Sequence, residues 1–258
     1  MRITALVENT SIDESIKSEH GLSLYIETED KKILFDTGQT DLFFENAKKL
    51  GIDLEGVDML ILSHGHYDHG GGMRHFFEIN KKAKVYVNRA SFGDYYNGTE
   101  KYIGLDKELK NSERIVFVDD EMRIEESLSL YSCNEKERIN NLGSFGLTEF
   151  KDGGFLPDEF LHEQYFLIEE KGKRVLISGC SHKGVMDITN WFKPDVLVGG
   201  FHFSKLPLDE KLASYAKYLD SFDTTFYTCH CTGVAHYEFM KKYMNDLNYL
   251  SAGQSIII

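Results

Sequence analysis

Short apolar runs alternate with amphipathic segments along most of the chain. Arg2 to Val7, Val57 to Leu62 and Arg174 to Ile177 have the length and composition of buried strands. From Asp41 to Leu50 the apolar side chains recur at near-helical spacing, and a second helix is predicted from Val185 to Phe192. Strands separated by helices predict a layered α/β fold.

The middle of the chain interrupts this rhythm. Ile115 to Val118 and Met122 to Leu130 have an extended pattern, whereas Asn140 to Gly154 is rich in glycine and irregular. The alternation of strands and helices returns at the next apolar run. We therefore expect one domain, residues 1–258, with a variable insertion around residues 89–162.

Several predicted strands end in polar side chains that are able to ligate a metal. The strands finish at Leu62, Ile177, Val198 and Tyr227, and a histidine or cysteine follows each of them closely. Ligands of open α/β sheets bind where strand ends converge. We expect these four clusters to meet at one site.

Charge and composition narrow the choice of partners. The chain carries 29 basic and 42 acidic side chains, a net charge of −13. A field of this sign repels phosphate backbones, so we expect no nucleic-acid partner, although one or two local cations could still hold a small anionic substrate. No apolar run approaches the roughly 18 residues of a membrane helix, and residues 1–10 lack the pattern of a signal peptide. We expect a cytoplasmic protein with no membrane partner.

The segment after Leu62 concentrates the chemistry. It reads His64-Gly65-His66-Tyr67-Asp68-His69, with glycine at positions 70, 71 and 72. In extended backbone, His64 and His66 point the same way and can reach one metal ion, while Asp68 and His69 are placed to face a second. A cluster that only caps a loop would not need these glycines, which allow the backbone to approach the ions closely. The segment predicts a metal site.

This HxHxDH string after an apolar strand resembles the hallmark of the metallo-β-lactamase superfamily. The resemblance implies an αββα sandwich, in which two mixed β-sheets are flanked by helices. It also implies a binuclear metal site, with His64, His66, Asp68 and His69 among the ligands. By their positions around this string, Asp36 resembles the family's structural strand-end aspartate behind the ligands. His230 likewise resembles the histidine that completes the second metal site.

The middle ligands depart from the family pattern. Where members of the family usually have Gly-Asp at a strand end, this chain has Gly179-Cys180, so Cys180 could replace the bridging carboxylate as a thiolate ligand. The remaining imidazole could come from His182, two residues further on, or from His162. We favour His182 and keep His162 as the alternative.

Other residues near the clusters receive weaker assignments. His202 follows its own strand, and we expect it to contact substrate or a metal ligand. Period-two alternation sends Cys229 and Cys231 to the face opposite His230, which makes them buried small residues rather than ligands. Lys183 and Lys205 could hold a phosphate or carboxylate, but solvated surface lysines are the favoured interpretation.

Four further motifs make the resemblance narrower. Glu19–Ser23, Gly179–His182, Gly200–His202 and His230–Gly233 together look like the branch of dihydropterin synthase-like metal-dependent hydrolases. The resemblance implies two divalent ions, zinc in the first place and iron or manganese as alternatives. Hydroxide activated by the ions would attack a small-molecule ester, phosphoester or cyclic amide, and Asp68 would bind metal and orient the nucleophile.

Two alternative functions stay open. A dihydropterin synthase-like transferase would share the metal site and need a pocket for a flat heterocycle, which Phe201, Phe203 and Tyr67 could line unless they belong to the core. A metal-free binding protein is disfavoured, because the HxHxDH set and His230 are both present. A diiron redox role is also disfavoured, because such family members carry glutamate where His66 stands.

Overall fold

The computed structural model of the protein describes residues 1–258. Its strands are, in chain order, β1 Arg2–Val7, β2 Ser23–Glu27, β3 Lys32–Phe35, β4 Met59–Ile61, β5 Lys84–Asn88, β6 Tyr95–Asn97, β7 Lys101–Tyr102, β8 Ile115–Val118, β9 Glu121–Glu125, β10 Leu128–Tyr131, β11 Leu147–Lys151, β12 Gly154–Pro157, β13 Tyr165–Glu170, β14 Lys173–Ile177, β15 Val196–Gly199, β16 Thr225–Thr228, β17 Leu247–Tyr249 and β18 Ser255–Ile257. The helices are α1 Leu42–Lys49, α2 Tyr67–Gly70, α3 Met73–Ile79, α4 Val185–Phe192, α5 Glu210–Asp220 and α6 Val234–Met240.

Two seven-stranded mixed sheets form the body of the molecule. The first has the order β18-β1-β2-β3-β4-β5-β8, with parallel pairing from β3 to β8. The second has the order β17-β16-β15-β14-β13-β10-β9, with parallel pairing from β14 to β17. The parallel halves require crossover connections, and helices provide most of them.

Alternation along the strands builds the layers. Ile33 and Phe35 of β3 belong to the core between the two sheets, together with Phe166 and Val198 of the second sheet. Leu34, pointing the other way, packs with α1 and α3 on the outer face. Helices α4, α5 and α6 cover the outer face of the second sheet. The αββα sandwich of two mixed sheets flanked by helices is therefore confirmed.

A small third sheet lies within the predicted insertion. It has the order β12-β11-β6-β7, whereas β8, β9 and β10 from the same stretch of chain belong to the two main sheets. Its apolar residues Tyr95, Ile103 and Leu147 pack against Tyr67 of the HxHxDH segment. The boundaries of the insertion, residues 89–162, stay a prediction.

The expectation of irregular structure from Asn140 to Gly154 is wrong in its second half. There, β11 pairs with β12 through a tight turn at Asp152-Gly153, where both residues have positive φ. Asp-Gly at such a turn is a strong hairpin signal, because both central residues of this turn type need positive φ. None of the helices is long and apolar enough to cross a membrane.

Candidate metal centre

The HxHxDH segment follows strand β4 and lies at one end of the sandwich. The chain is still extended at His66, and the short helix α2 begins at the next residue. Gly65 is required here, because a Cβ atom at this position would overlap with the carbonyl group of Ser91. Gly71 and Gly72 also lie against neighbouring backbone, at residues 37–40. They fix the segment within the fold, whereas the sequence suggested that they make room for the ions.

The first group of candidate ligands consists of His64, His66 and His182. One ring nitrogen of each lies within 4.8 Å of those of the other two. The Nε2 atoms of His64 and His66 and both ring nitrogens of His182 are buried without a hydrogen-bond partner. Burial lowers the pKa of His64 and His182 well below the usual histidine value. Neutral imidazoles with free nitrogens are the form that binds metal, and leaving them unpaired would be costly.

The second group forms a continuous row of donor atoms. The Sγ atom of Cys180 lies 3.2 Å from Nε2 of His69, which lies 3.2 Å from Nε2 of His230. His230 Nε2 in turn lies 3.5 Å from Oδ2 of Asp68. Cys180 also groups with His64 and His69, so its thiol stands between the two ligand groups.

Hydrogen bonds on the far side of the rings fix the tautomers. The Asp36 carboxylate accepts hydrogen bonds from His69 Nδ1 at 2.7 Å and from the backbone N–H and hydroxyl of Ser63. Because that hydroxyl donates to Asp36, it accepts from His64 Nδ1 at 2.8 Å. The side-chain oxygen of Asn9 accepts from His230 Nδ1 at 2.8 Å. All three rings therefore carry their proton on Nδ1 and present a bare Nε2 to the centre.

Two bare nitrogens face one another as a consequence. His69 Nε2 and His230 Nε2 lie 3.2 Å apart, and neither carries a proton in these tautomers. Two lone pairs at this distance repel unless a proton or a metal ion lies between them; burial opposes protonation of His69, but the Asp36 and Asp68 carboxylates raise its pKa. The buried donors therefore fit a divalent ion, and the mixture of imidazole, carboxylate and thiolate is the ligand set that zinc accepts.

Most of the candidate ligands line a cavity of about 230 Å³, although His64 and His69 do not. His66, Asp68, Cys180, His182 and His230 form its floor, and its wall and rim are formed by residues from several loops, namely Asn9, His20, Tyr67, Asn97, Lys101, His202, Ser204 and Lys205. The four clusters expected at strand ends thus meet at one site.

A family model described as the metallo-beta-lactamase superfamily matches residues 18–222. The chain belongs to the metallo-β-lactamase superfamily. The resemblance predicted from the HxHxDH segment is confirmed.

Relatives within the superfamily are similar along nearly the whole chain. A Methanocaldococcus jannaschii protein named "Uncharacterized protein MJ0448" is 32% identical over 240 residues, 90% of each chain. The 7,8-dihydropterin-6-methyl-4-(β-D-ribofuranosyl)-aminobenzene-5′-phosphate synthase of the same organism is 31% identical over 266 residues, 93% of this chain and 90% of that protein. The crystal structure of Tm1679, a metal-dependent hydrolase of the β-lactamase superfamily, superposes with a TM-score of 0.85. It is 29% identical and covers 100% of this chain and 99% of its own.

The two alternatives for the middle histidine, His182 and His162, differ in their hydrogen bonds. His162 uses both ring nitrogens: Nδ1 accepts from the backbone N–H of Gly65 at 2.9 Å, and Nε2 lies 3.1 Å from the carboxylate of Asp158. His182 has no such partners and faces His64. The free nitrogens favour His182 as the ligand, while His162 supports the backbone of the HxHxDH segment.

The prediction of Lys183 as a surface lysine is wrong. Its side chain is buried, and its ammonium group donates to the carbonyl oxygens of Ser132 at 2.7 Å and Glu163 at 3.0 Å. The Glu163 carboxylate accepts from the backbone N–H groups of His182 and Lys183. This network fixes the loop that carries His182. The favoured interpretation of Lys205 as exposed holds, although Lys205 also lines the cavity.

The expectation that Cys231 lies opposite His230 is also wrong. Strand β16 ends at Thr228, and a 3₁₀ turn from His230 to Thr232 replaces the extended backbone. Period-two alternation stops there, so Cys231 lines the same cavity as His230, whereas Cys229 lies in the core between the sheets. The sequence signal for the turn was Gly233, which has positive φ directly after it.

Asn9 and Glu8 near the centre carried no signal in the sequence, whereas His20 lies in the Glu19–Ser23 motif. Asn9 orients His230, and the neighbouring Glu8 accepts from the backbone N–H of His230 at 2.6 Å. His20, which follows β1 by a long loop, lies 3.1 Å from the Asp68 carboxylate. The contacts of Glu8 and Asn9 with His230 join the first and last parts of the chain. Local sequence patterns do not reveal which distant residues meet in this way.

Proposed function

We propose that the protein is a metal-dependent hydrolase that uses two divalent ions, with zinc as the expected metal. The single observation that carries the proposal is the pair of Nε2 atoms of His69 and His230, 3.2 Å apart beside the Cys180 thiol and the Asp68 carboxylate. The first ion would be held by His64, His66 and His182. The second would be held by Asp68, His69 and His230, with Cys180 reaching both.

The bound ions would supply Lewis acidity, lowering the pKa of water and offsetting negative charge on the substrate. Asp68 is the only carboxylate that lines the cavity. Burial opposes its ionisation, but the hydrogen bond from His20 and the imidazoles of His230 and His69 beside it hold the pKa of Asp68 well below its usual value. It therefore stays ionised and can accept a hydrogen bond from the attacking water, which orients that water.

The rim of the cavity supports a small anionic substrate. Lys101 and Lys205 lie at the rim with Asn97 and Ser204, although acidic residues outnumber basic ones in the chain by 42 to 29. The Lys205 ammonium group now donates to the carbonyl oxygen of Phe145, and Lys101 lies 3.4 Å from the hydroxyl of Tyr67. Both side chains are exposed and can reorient so that their ammonium groups contact an anion. An ester, phosphoester or cyclic amide with a phosphate or carboxylate group fits this arrangement.

The test combines metal content with turnover. The protein and the variant His66→Ala are purified anaerobically, analysed by mass spectrometry and assayed with phosphoesters, carboxylic esters and lactams. We expect at least about two ions per chain and hydrolysis of at least one class; in His66→Ala the metal content should fall sharply and hydrolysis should be lost. His75→Ala, outside the cavity, is the matched control. Fewer than about 0.2 ions per chain after incubation with zinc, manganese and iron(II) would contradict the proposal.

A second candidate is a transferase of the dihydropterin synthase type. The observation that favours it is the relative of that name, which is 31% identical over 93% of this chain. Tyr67 lines the cavity and can stack on a heterocycle, but Phe201 and Phe203 are fully buried in the outer core. Pterin absorbance that co-purifies with the protein, without turnover of simple esters, would favour the transferase over the hydrolase.

A further inference from the structure

Cys180, His202 and Cys231 bring two thiols and an imidazole together at the side of the cavity. One donor atom of each lies within 4.8 Å of those of the other two. Both cysteines are buried, and both ring nitrogens of His202 are buried without a hydrogen-bond partner. The three residues follow β14, β15 and β16, which are neighbouring parallel strands.

The backbone around Cys231 is shaped to hold this thiol in place. The backbone N–H of His202 donates to its Sγ atom at 3.2 Å, and the thiol lies 3.5 Å from the carbonyl oxygen of Cys180. A Cβ atom on residue 200 would overlap with this sulfur, so only glycine fits there. His202 itself adopts positive φ, which costs energy for a residue other than glycine. A buried cysteine that served only to fill space would not require these arrangements.

We propose that Cys180, Cys231 and His202 form a third ligand set, which takes a soft or borderline divalent ion such as zinc. Two thiolates and one imidazole are ligands that select zinc over magnesium, calcium or manganese. Cys180 is shared with the binuclear centre and bridges the two, and for this residue the inference rests on the proposed function. His202, which the sequence placed at the substrate, is a metal ligand in this arrangement.

The test counts the thiolates that bind metal. The reduced protein is freed of metal with a chelator and titrated with Cd²⁺, while thiolate-to-metal charge-transfer absorbance is followed in the ultraviolet and bound metal is measured by mass spectrometry. We expect Cys231→Ala to lose roughly half of this absorbance and one bound ion per chain. Cys229→Ala, which removes the thiol on the other side of His230, is the matched control and should keep both.

Full absorbance in Cys231→Ala would overturn the third ligand set. If Cys231→Ala does not fold, Cys231→Ser decides instead, because serine keeps the size and polarity but is a poor ligand for Cd²⁺. Failure of the hydrolase proposal is distinguishable. Absorbance that depends on Cys231 without any turnover leaves the third set standing, and turnover with unchanged absorbance in the variant removes the third set alone.

Discussion

At the scale of single residues, one buried carboxylate, that of Asp36, fixes the tautomers of two candidate metal ligands. Asp36 is fully buried and accepts hydrogen bonds from His69 and from two groups of Ser63. It thereby fixes the proton of His69 on Nδ1 and, through the Ser63 hydroxyl, that of His64. One carboxylate controls a ligand in each of the two groups.

Asp36→Asn should weaken metal binding without removing a ligand. The amide keeps the size of the carboxylate but has one acceptor oxygen and no charge, so it no longer imposes both tautomers. We expect affinity to fall about 10- to 100-fold, measured by competition with a chromophoric chelator. Asp41→Asn, before α1 and without a side-chain capping bond, is the control. Unchanged affinity in Asp36→Asn would contradict the role of Asp36.

Lys183 should leave a pH signature in stability. Burial lowers its pKa to about 8 from a usual value of 10.5. Above pH 8 the folded state releases the proton while the unfolded state keeps it, so this group's contribution to the free energy of unfolding rises until about pH 10.5. The difference between wild type and Lys183→Met should grow by about 3 kcal/mol over this range, measured by urea denaturation. The exposed substitution Lys151→Met should show no such growth, and a flat difference for Lys183→Met would contradict the account.

At the scale of elements, most strands of the two main sheets were predicted from the sequence, whereas the strands of the small third sheet and the turns after the main strands were not. Alternation predicted β14 from Arg174 to Ile177, one residue short of its observed start. The residues that follow strands adopt conformations that alternation does not encode: Ser181, His202 and His230 all have positive φ. Extrapolating the strand through His230 placed Cys231 on the wrong face.

The HxHxDH segment depends on one glycine contact. Gly65→Ala would force the backbone away from Ser91 and shift His64 and His66 together. We expect metal affinity to fall at least tenfold and stability to fall by about 1 to 3 kcal/mol, measured by metal titration and thermal unfolding. Gly154→Ala, which meets open space, should change neither. Wild-type affinity in Gly65→Ala would show that the segment tolerates the shift.

At the scale of the whole molecule, the protein is acidic, but two exposed lysines, Lys101 and Lys205, lie at the rim of the cavity. The net charge of −13 repels anions at a distance, so capture of the anionic substrate that we propose would depend on Lys101 and Lys205. Alternation predicted a layered α/β fold, and the resemblance of the HxHxDH segment to the superfamily implied the family and the αββα sandwich; the set of metal ligands stays a prediction. The sequence could not predict the network of Glu163 and Lys183 or the contact of Asn9 with His230, because these join residues far apart in the chain.

Reversing the charge of the rim should change KM selectively. The double variant Lys101→Glu, Lys205→Glu should raise KM at least tenfold for an anionic ester and leave a neutral ester nearly unchanged, because the lysines act on the anionic group of the substrate. Steady-state kinetics with both esters checks this expectation. Lys151→Glu makes a similar charge change away from the cavity and serves as control. An equal rise of KM for both esters would mean that the rim binds something other than the anionic group.

The central claim is that two groups of buried donors hold metal ions. It is tested most directly by a crystal structure of the zinc-loaded protein with anomalous diffraction at the zinc edge. The account predicts one anomalous peak among His64, His66 and His182, and a second among Asp68, His69 and His230 within reach of Cys180. Crystals without a peak at either position, or with zinc bound only at His162 and Asp158, would contradict it.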